Sequence, residues 1–113
     1  MYQVRFTAAA HADIKSLPRN VQNSLKKEFQ KLISDPIAQS LELREPLQGW
    51  RSYHWRNYRV IFNVFEGEEV IAVVAVGKRL PQSKTDVYRK LERLVREGKL
   101  AERILQTMRG FGE

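Results

Sequence analysis

Seven consecutive residues, Val70-Ile71-Ala72-Val73-Val74-Ala75-Val76, carry no polar side chain, and five of them are β-branched. Branching at Cβ favours a pleated strand over a helix. A continuous apolar strand, unlike an alternating one, must be covered on both faces. The run therefore predicts a central strand, and the rest of the chain must supply a layer for each side of it. Trp50 to Arg56 and Tyr58 to Phe65 are equally rich in aromatic and β-branched residues and read as two further strands. Arg56-Asn57 and Glu66-Gly67-Glu68-Glu69 connect the three, short enough for antiparallel hairpins. At the start, Tyr2-Gln3-Val4-Arg5-Phe6 alternates like a fourth strand.

The covering layers have helical spacing. From Ala8 to Leu17 four alanines favour helix, with Ile14 and Leu17 on one face, until Pro18 stops it. Pro18 suits the first turn of a second helix over residues 19–34, whose Val21, Leu25, Phe29, Leu32 and Ile33 form one stripe. Residues 36–49 sustain neither period and read as a loop with room for a short strand or turn. Thr85 or Asp86 caps a later helix with Val87, Leu91, Leu94 and Val95 inward, and Leu100, Ile104, Leu105 and Met108 continue the spacing past Gly98. The order β-α-α-β-β-β-α-α predicts an α+β fold. It consists of a four-stranded, mostly antiparallel twisted sheet, with helices 8–17 and 19–34 on one face through Ile14, Leu17, Val21, Leu25, Phe29 and Leu32. Residues 1–113 are expected to form one domain, with 92–113 a C-terminal helical extension.

Several function classes drop out. The chain has no cysteine, which excludes disulfides, a thiol nucleophile and thiolate zinc, and a reducing cytoplasm is expected. No apolar run approaches the roughly 18 residues of a membrane span, so no membrane partner is expected. GxGxxG and GxxxxGK[ST] are absent, leaving no seat for a nucleotide cofactor. Glu66, Glu68 and Glu69 read as a solvated turn, and His11 and His54 have no neighbours at ligand spacing. No metal, cofactor or small-molecule partner is expected.

The net charge is +7, and its placement matters more than its size. Residues 50–59 carry three arginines and no acid, residues 60–77 three glutamates and no base, and residues 78–109 ten bases against four acids. Two basic segments flanking one acidic turn put nucleic acid first among partners. The densest chemistry is the string Trp50-Arg51-Ser52-Tyr53-His54-Trp55-Arg56-Asn57-Tyr58-Arg59. Alternation puts Ser52, His54 and Arg56 on one side of its strand and Arg51, Tyr53 and Trp55 on the other. Guanidinium groups interleaved with aromatics suit single-stranded RNA, although Trp50, Trp55 and Tyr58 taken singly read as sheet-core aromatics.

The order of elements and three local motifs resemble the RelE/ParE toxin superfamily of toxin–antitoxin systems. "YQVRFTAAAHADIKSLP" is similar to the family's opening strand, Ala- and Asp-bearing helix and Leu-Pro break. "GWRSYHWRNYRVIFNV" resembles its central hairpin, and "VGKR" followed by "DVYRKL" its last strand and final helix. Resemblance to the RelE branch implies a metal-independent endonuclease that cuts messenger RNA, typically on the ribosome, and is neutralised by a cognate antitoxin. On this reading Arg59 and Arg79 match the branch's two arginines and Tyr88 its C-terminal tyrosine. The sequence departs from the pattern in two places. In the simplest register Ser52 and His54 stand where the family has paired lysines or arginines, with Arg51 an alternative, and about three extra residues separate Arg79 from Tyr88. The ParE branch, whose members inhibit DNA gyrase, and a catalytically inactive binder are the competing readings.

Metal-free RNA cleavage needs a base for the 2′-hydroxyl, an acid for the leaving 5′-oxygen, and cations for the crowded phosphate. Arg59 and Arg79, always protonated and able to grip two oxygens at once, suit the cationic role. His54 is the one nearby group whose ordinary pKa, about 6.5, serves as base or acid near neutrality. Tyr88 would need cations to lower its pKa of about 10 to act as a base, but orients or stacks unmodified. The catalytic set is therefore His54, Arg59, Arg79 and Tyr88, with Arg51, Ser52, Arg56, Lys78 and Lys84 expected to contact RNA.

Overall fold

The structure, a computed structural model, describes residues 2–45 and 47–96. Its elements in chain order are β1 (Gln3–Phe6), α1 (Ala8–Lys15), α2 (Arg19–Ser34), β2 (Leu41–Glu42), β3 (Arg51–Trp55), β4 (Tyr58–Phe65), β5 (Val70–Lys78) and α3 (Val87–Arg96). The sheet order is β1-β5-β4-β3-β2. β1 runs parallel to β5, and the remaining pairings are antiparallel. The helical extension expected beyond Arg96 lies outside the described residues.

The α+β class and the helix pair agree with the sequence reading, but the strand count does not. Five strands form instead of four, because Leu41 and Glu42 add an edge to β3 opposite Ser52 and Arg51. Both residues are exposed, so this strand is made by backbone pairing alone and leaves no alternating pattern to read.

The apolar run is buried throughout, between β1 and β4 and between two layers. On one face Leu25 and Leu32 of α2 and Ala10 of α1 join Tyr53, Val60, Phe62, Ile71, Val73 and Val76, with Ile14, Leu17, Val21 and Phe29 packed against them. On the other, Val87 and Leu91 of α3 close over Ile61, Val74 and Ala75. Val74 and Ala75 are consecutive yet share a face. A bulge explains it: Ile61 pairs with Ala75 and Phe62 with Val73, so Val74 has no partner of its own.

Three local devices position the helices. The Thr7 hydroxyl accepts from Ala10 N at 3.1 Å and starts α1. Asp13 of α1 accepts from Val76 N at 3.1 Å, tying the helix to the end of β5. Gly77 faces α3: a Cβ there would stand 3.4 Å from the Val87 Cβ. The first turn of α3 thus lies close on the end of the sheet, within ordinary contact distance of such a Cβ, and Tyr88 in that turn comes within reach of β3.

Candidate active site

β3 and β4 place His54 and Arg59 directly opposite each other, on the face that α3 covers. The register then sets Arg59 opposite Gly77, so two residues later the chain leaves β5 at Arg79, whose N–H donates to Asn57 O. The additional residues between Arg79 and Tyr88 fold into two turns, Ser83 N to Leu80 O and Asp86 N to Ser83 O. This loop returns Tyr88 to Arg79: the guanidinium lies over the phenol ring, 4.8 Å from its centre.

The Tyr88 hydroxyl makes the central contacts, 2.9 Å from Ser52 Oγ and 3.3 Å from His54 Nε2. Burial, and secondarily the Arg59 charge, hold the His54 pKa below the ordinary histidine value. The imidazole is thus neutral near pH 7 and free to accept a proton. Arg59 is anchored through Nη1 to the carbonyls of Arg56 and Tyr58. Its Nε is buried without a partner among the described residues, and a buried donor left unpaired is costly.

His54, Arg59, Arg79 and Tyr88 therefore converge on one end of the sheet. The expected RNA contacts divide. Lys84 is exposed and lines the same cleft as Arg79 and Tyr88. Arg56 is exposed at the hairpin tip, in the left-handed region at φ 55 with its guanidinium over Trp55. Ser52 is only 1% exposed, so it has no surface for RNA and holds Tyr88 instead. Arg51 points to the opposite face, where its guanidinium donates to Ser40 Oγ and to the carbonyls of Ile37 and Ser40. That side chain braces the loop before β2. Lys78 also lies across the sheet from His54, over the Tyr58 ring that stacks on Trp55.

Sequence reasoning missed one member, Asp86. Its carbonyl accepts from Lys90 N and begins α3, as expected of a cap, but its carboxylate turns back to pair with Arg79 and accept from Leu80 N. Asp86 is fully buried, and a buried carboxylate needs a cation and hydrogen bonds. An aspartate seven residues after an arginine, at the close of a short proline-bearing turn and the start of a helix, is the signal that was available. Among the described residues no three His, Asp or Glu side chains come together as metal ligands would. Nor is any helix among them long and apolar enough to cross a membrane.

Residues 4–83 match the family model described as ParE toxin of type II toxin–antitoxin system, parDE. The chain is 31% identical over 88 residues to a RelE-like toxin protein of Escherichia coli, an alignment covering 77% of this chain and 90% of that one. To toxin RelE of Mycobacterium tuberculosis it is 27% identical over 79 residues, 69% of this chain and 81% of the relative. Among solved structures it superposes on the toxin–antitoxin complex RelBE2 from Mycobacterium tuberculosis with a TM-score of 0.66 and 26% identity, covering 69% of this chain and 98% of that one. The isolated Escherichia coli RelE toxin, at 22% identity and a TM-score of 0.59, covers 84% of this chain and 99% of its own and shares the fold.

Proposed function

The chain belongs to the ParE toxin family of type II toxin–antitoxin systems, within the RelE/ParE superfamily, and from that premise we propose that it is a RelE-like endonuclease of messenger RNA. The observation that carries this reading is the convergence of a neutral histidine, a tyrosine and two arginines at one end of the sheet.

In the reaction, the His54 imidazole takes the 2′-hydroxyl proton, the 2′-oxygen bonds to the adjacent phosphorus, and the bond from phosphorus to the 5′-oxygen breaks. Arg59 and Arg79 balance the charge that accumulates on the phosphate oxygens. Tyr88, held by Ser52, keeps the imidazole turned toward the substrate. The 5′-oxygen leaves with a proton from solvent, because the other histidine, His11, lines the groove between β1 and the helices instead. The products are a 2′,3′-cyclic phosphate and a free 5′-hydroxyl. No step calls on a metal.

The toxin's partner on this reading is a cognate antitoxin, as in the RelBE complexes of the neighbouring structures. A groove of about 890 Å³ between β1 and the helix pair supports it. Val4, Phe6, Ile14 and Phe29 form an apolar floor and Lys15, Arg19 and Lys26 a basic rim, a fit for an amphipathic acidic segment. A toxin of this kind works in the cytoplasm on ribosome-bound message.

The ParE description of the matching family favours a second reading, inhibition of DNA gyrase; fold alone does not separate the two. One experiment does. Purified protein is added to a translation reaction and to free RNA, message ends are mapped by primer extension, and gyrase supercoiling is run beside them. New message ends support the nuclease; intact message with blocked supercoiling supports the second reading; neither leaves a binding protein.

A further inference from the structure

The outer face of α3 takes no part in the reaction above. Arg89, Arg93 and Arg96 stand at i, i+4 and i+7 along α3, the spacing that makes one row on a helix, and all three are exposed. The row spans about 10 Å at 1.5 Å per residue, room for more than one phosphate. With Arg79, Lys84 and Tyr88 the three arginines line a cleft of about 450 Å³. Of the two acids among its described lining residues, Asp86 is committed to Arg79, and Glu92 is the other. Among the described residues Lys84, Arg89, Arg93 and Arg96 form no ion pair. Arg93 and Arg96 suit the last turn of α3, but Arg89, in its first turn, gains nothing from the helix dipole, and like charges at i, i+4 oppose each other.

We infer that this row is a phosphate track: it binds the backbone of the substrate RNA as the strand leaves the His54–Tyr88 pair along α3. The inference rests on reading the chain as an RNA nuclease. Two observations favour RNA over an acidic protein segment. The cleft is continuous with the candidate centre through Arg79 and Tyr88. Among the described residues its lining also lacks the apolar floor an amphipathic helix requires, with only Pro81 and the Tyr88 ring to offer. Guanidinium forks match phosphate oxygens in pairs and carry no base preference, so the track adds affinity and register without adding sequence specificity.

The test replaces Arg89, Arg93 and Arg96 together with Gln in the full chain. The probe is a fluorescent single-stranded RNA whose 2′-deoxy substitutions prevent cleavage, titrated between about 50 and 200 mM salt. The plot of log affinity against log salt should lose about 2 from its slope, since each phosphate contact on a single strand contributes about 0.7. Lys27→Gln, on α2 and outside both the groove and the cleft, should keep the parental slope, and the triple variant should cleave saturating RNA at the parental rate. An unchanged slope in a protein that binds and cleaves overturns the track alone. Loss of binding to an acidic peptide with the RNA slope intact also overturns it and makes the row a protein-docking surface. If the parent binds with a slope that the triple substitution lowers, yet cuts nothing, the track stands and the nuclease reading falls.

Discussion

The Ser52 hydroxyl, buried beneath α3, stands 2.9 Å from the hydroxyl of Tyr88, joining the middle of β3 to the first turn of α3 across 36 positions of sequence. The same phenol reaches His54, so Ser52 fixes a neighbour of the proposed base without touching substrate. A neutral hydrogen bond is worth about 1 kcal/mol, and 1.36 kcal/mol is tenfold in rate. Ser52→Ala should therefore slow single-turnover cleavage by about five- to tenfold. A positioning role makes a sharper demand: Ser52→Ala combined with Tyr88→Phe should cost no more than Tyr88→Phe alone. Additive losses would show that Ser52 acts by another route.

His54 should give the reaction its pH dependence. Its neutral form is the one that accepts the proton, and burial and Arg59 lower its pKa. The rate should rise with pH on an acid limb centred below the ordinary value of about 6.5, then level off through neutrality. His54→Ala should lose about two to four decades and the limb with them. Arg59→Ala and Arg79→Ala should each lose about two to three decades, but only Arg59→Ala should also move the limb upward, because it removes a charge that disfavours imidazolium. A limb that stays in place in Arg59→Ala contradicts the electrostatic coupling.

Asp86 and Arg79 form the ion pair on which the loop before α3 closes. Removing one partner of a fully buried pair costs about 3–5 kcal/mol. Arg79 is 35% exposed, so solvent takes up part of its charge, and Asp86→Asn should cost about 2 kcal/mol. In a domain of this size that lowers Tm by roughly 8–16 °C. Asn keeps an acceptor for Leu80 N while losing the charge. A Tm within error of the parent would mean that the pair contributes nothing to the fold.

The contrast between Arg59 and Asp86 shows what the sequence makes legible. Arg59 belongs to a hairpin whose strands and two-residue turn are local patterns, so its place beside His54 follows from alternation and register. Asp86 acts through a turn that reverses the chain, and no periodicity describes a turn of that kind. Ser52 and Arg51 illustrate a second limit. Alternation assigned them correctly to opposite faces of β3, yet it is silent on what covers each face: α3 buries Ser52, and the loop before β2 engages Arg51. The core was readable for the opposite reason. The β5 run and the α2 stripe are long and periodic, and burying them admits few arrangements. β2, two exposed residues paired by backbone alone, has no side-chain pattern.

On the other face of the sheet the Tyr53 hydroxyl donates to Glu28 at 2.6 Å and links β3 to α2. Burial, then the bond to Glu28, pushes the Tyr53 pKa up to about 12. That bond in turn lowers the pKa of Glu28, with Lys31 adding to it. The two groups act at opposite ends of the pH scale. A tyrosine whose pKa is higher folded than unfolded contributes stability that is complete below about pH 10 and lost as pH rises toward 12. A glutamate whose pKa is lower folded than unfolded contributes above its unfolded value, and that part is lost as pH falls through the folded one. Tyr53→Phe should destabilise the protein by about 1.5–2 kcal/mol at neutral pH, the scale of a hydrogen bond to a charged group. It should also flatten the alkaline loss and shrink the acid one, while RNA cleavage, on the far face, keeps its parental rate. Thermal melts from acid to alkaline pH on both proteins decide the matter: an alkaline limb that survives in Tyr53→Phe would assign it to another group.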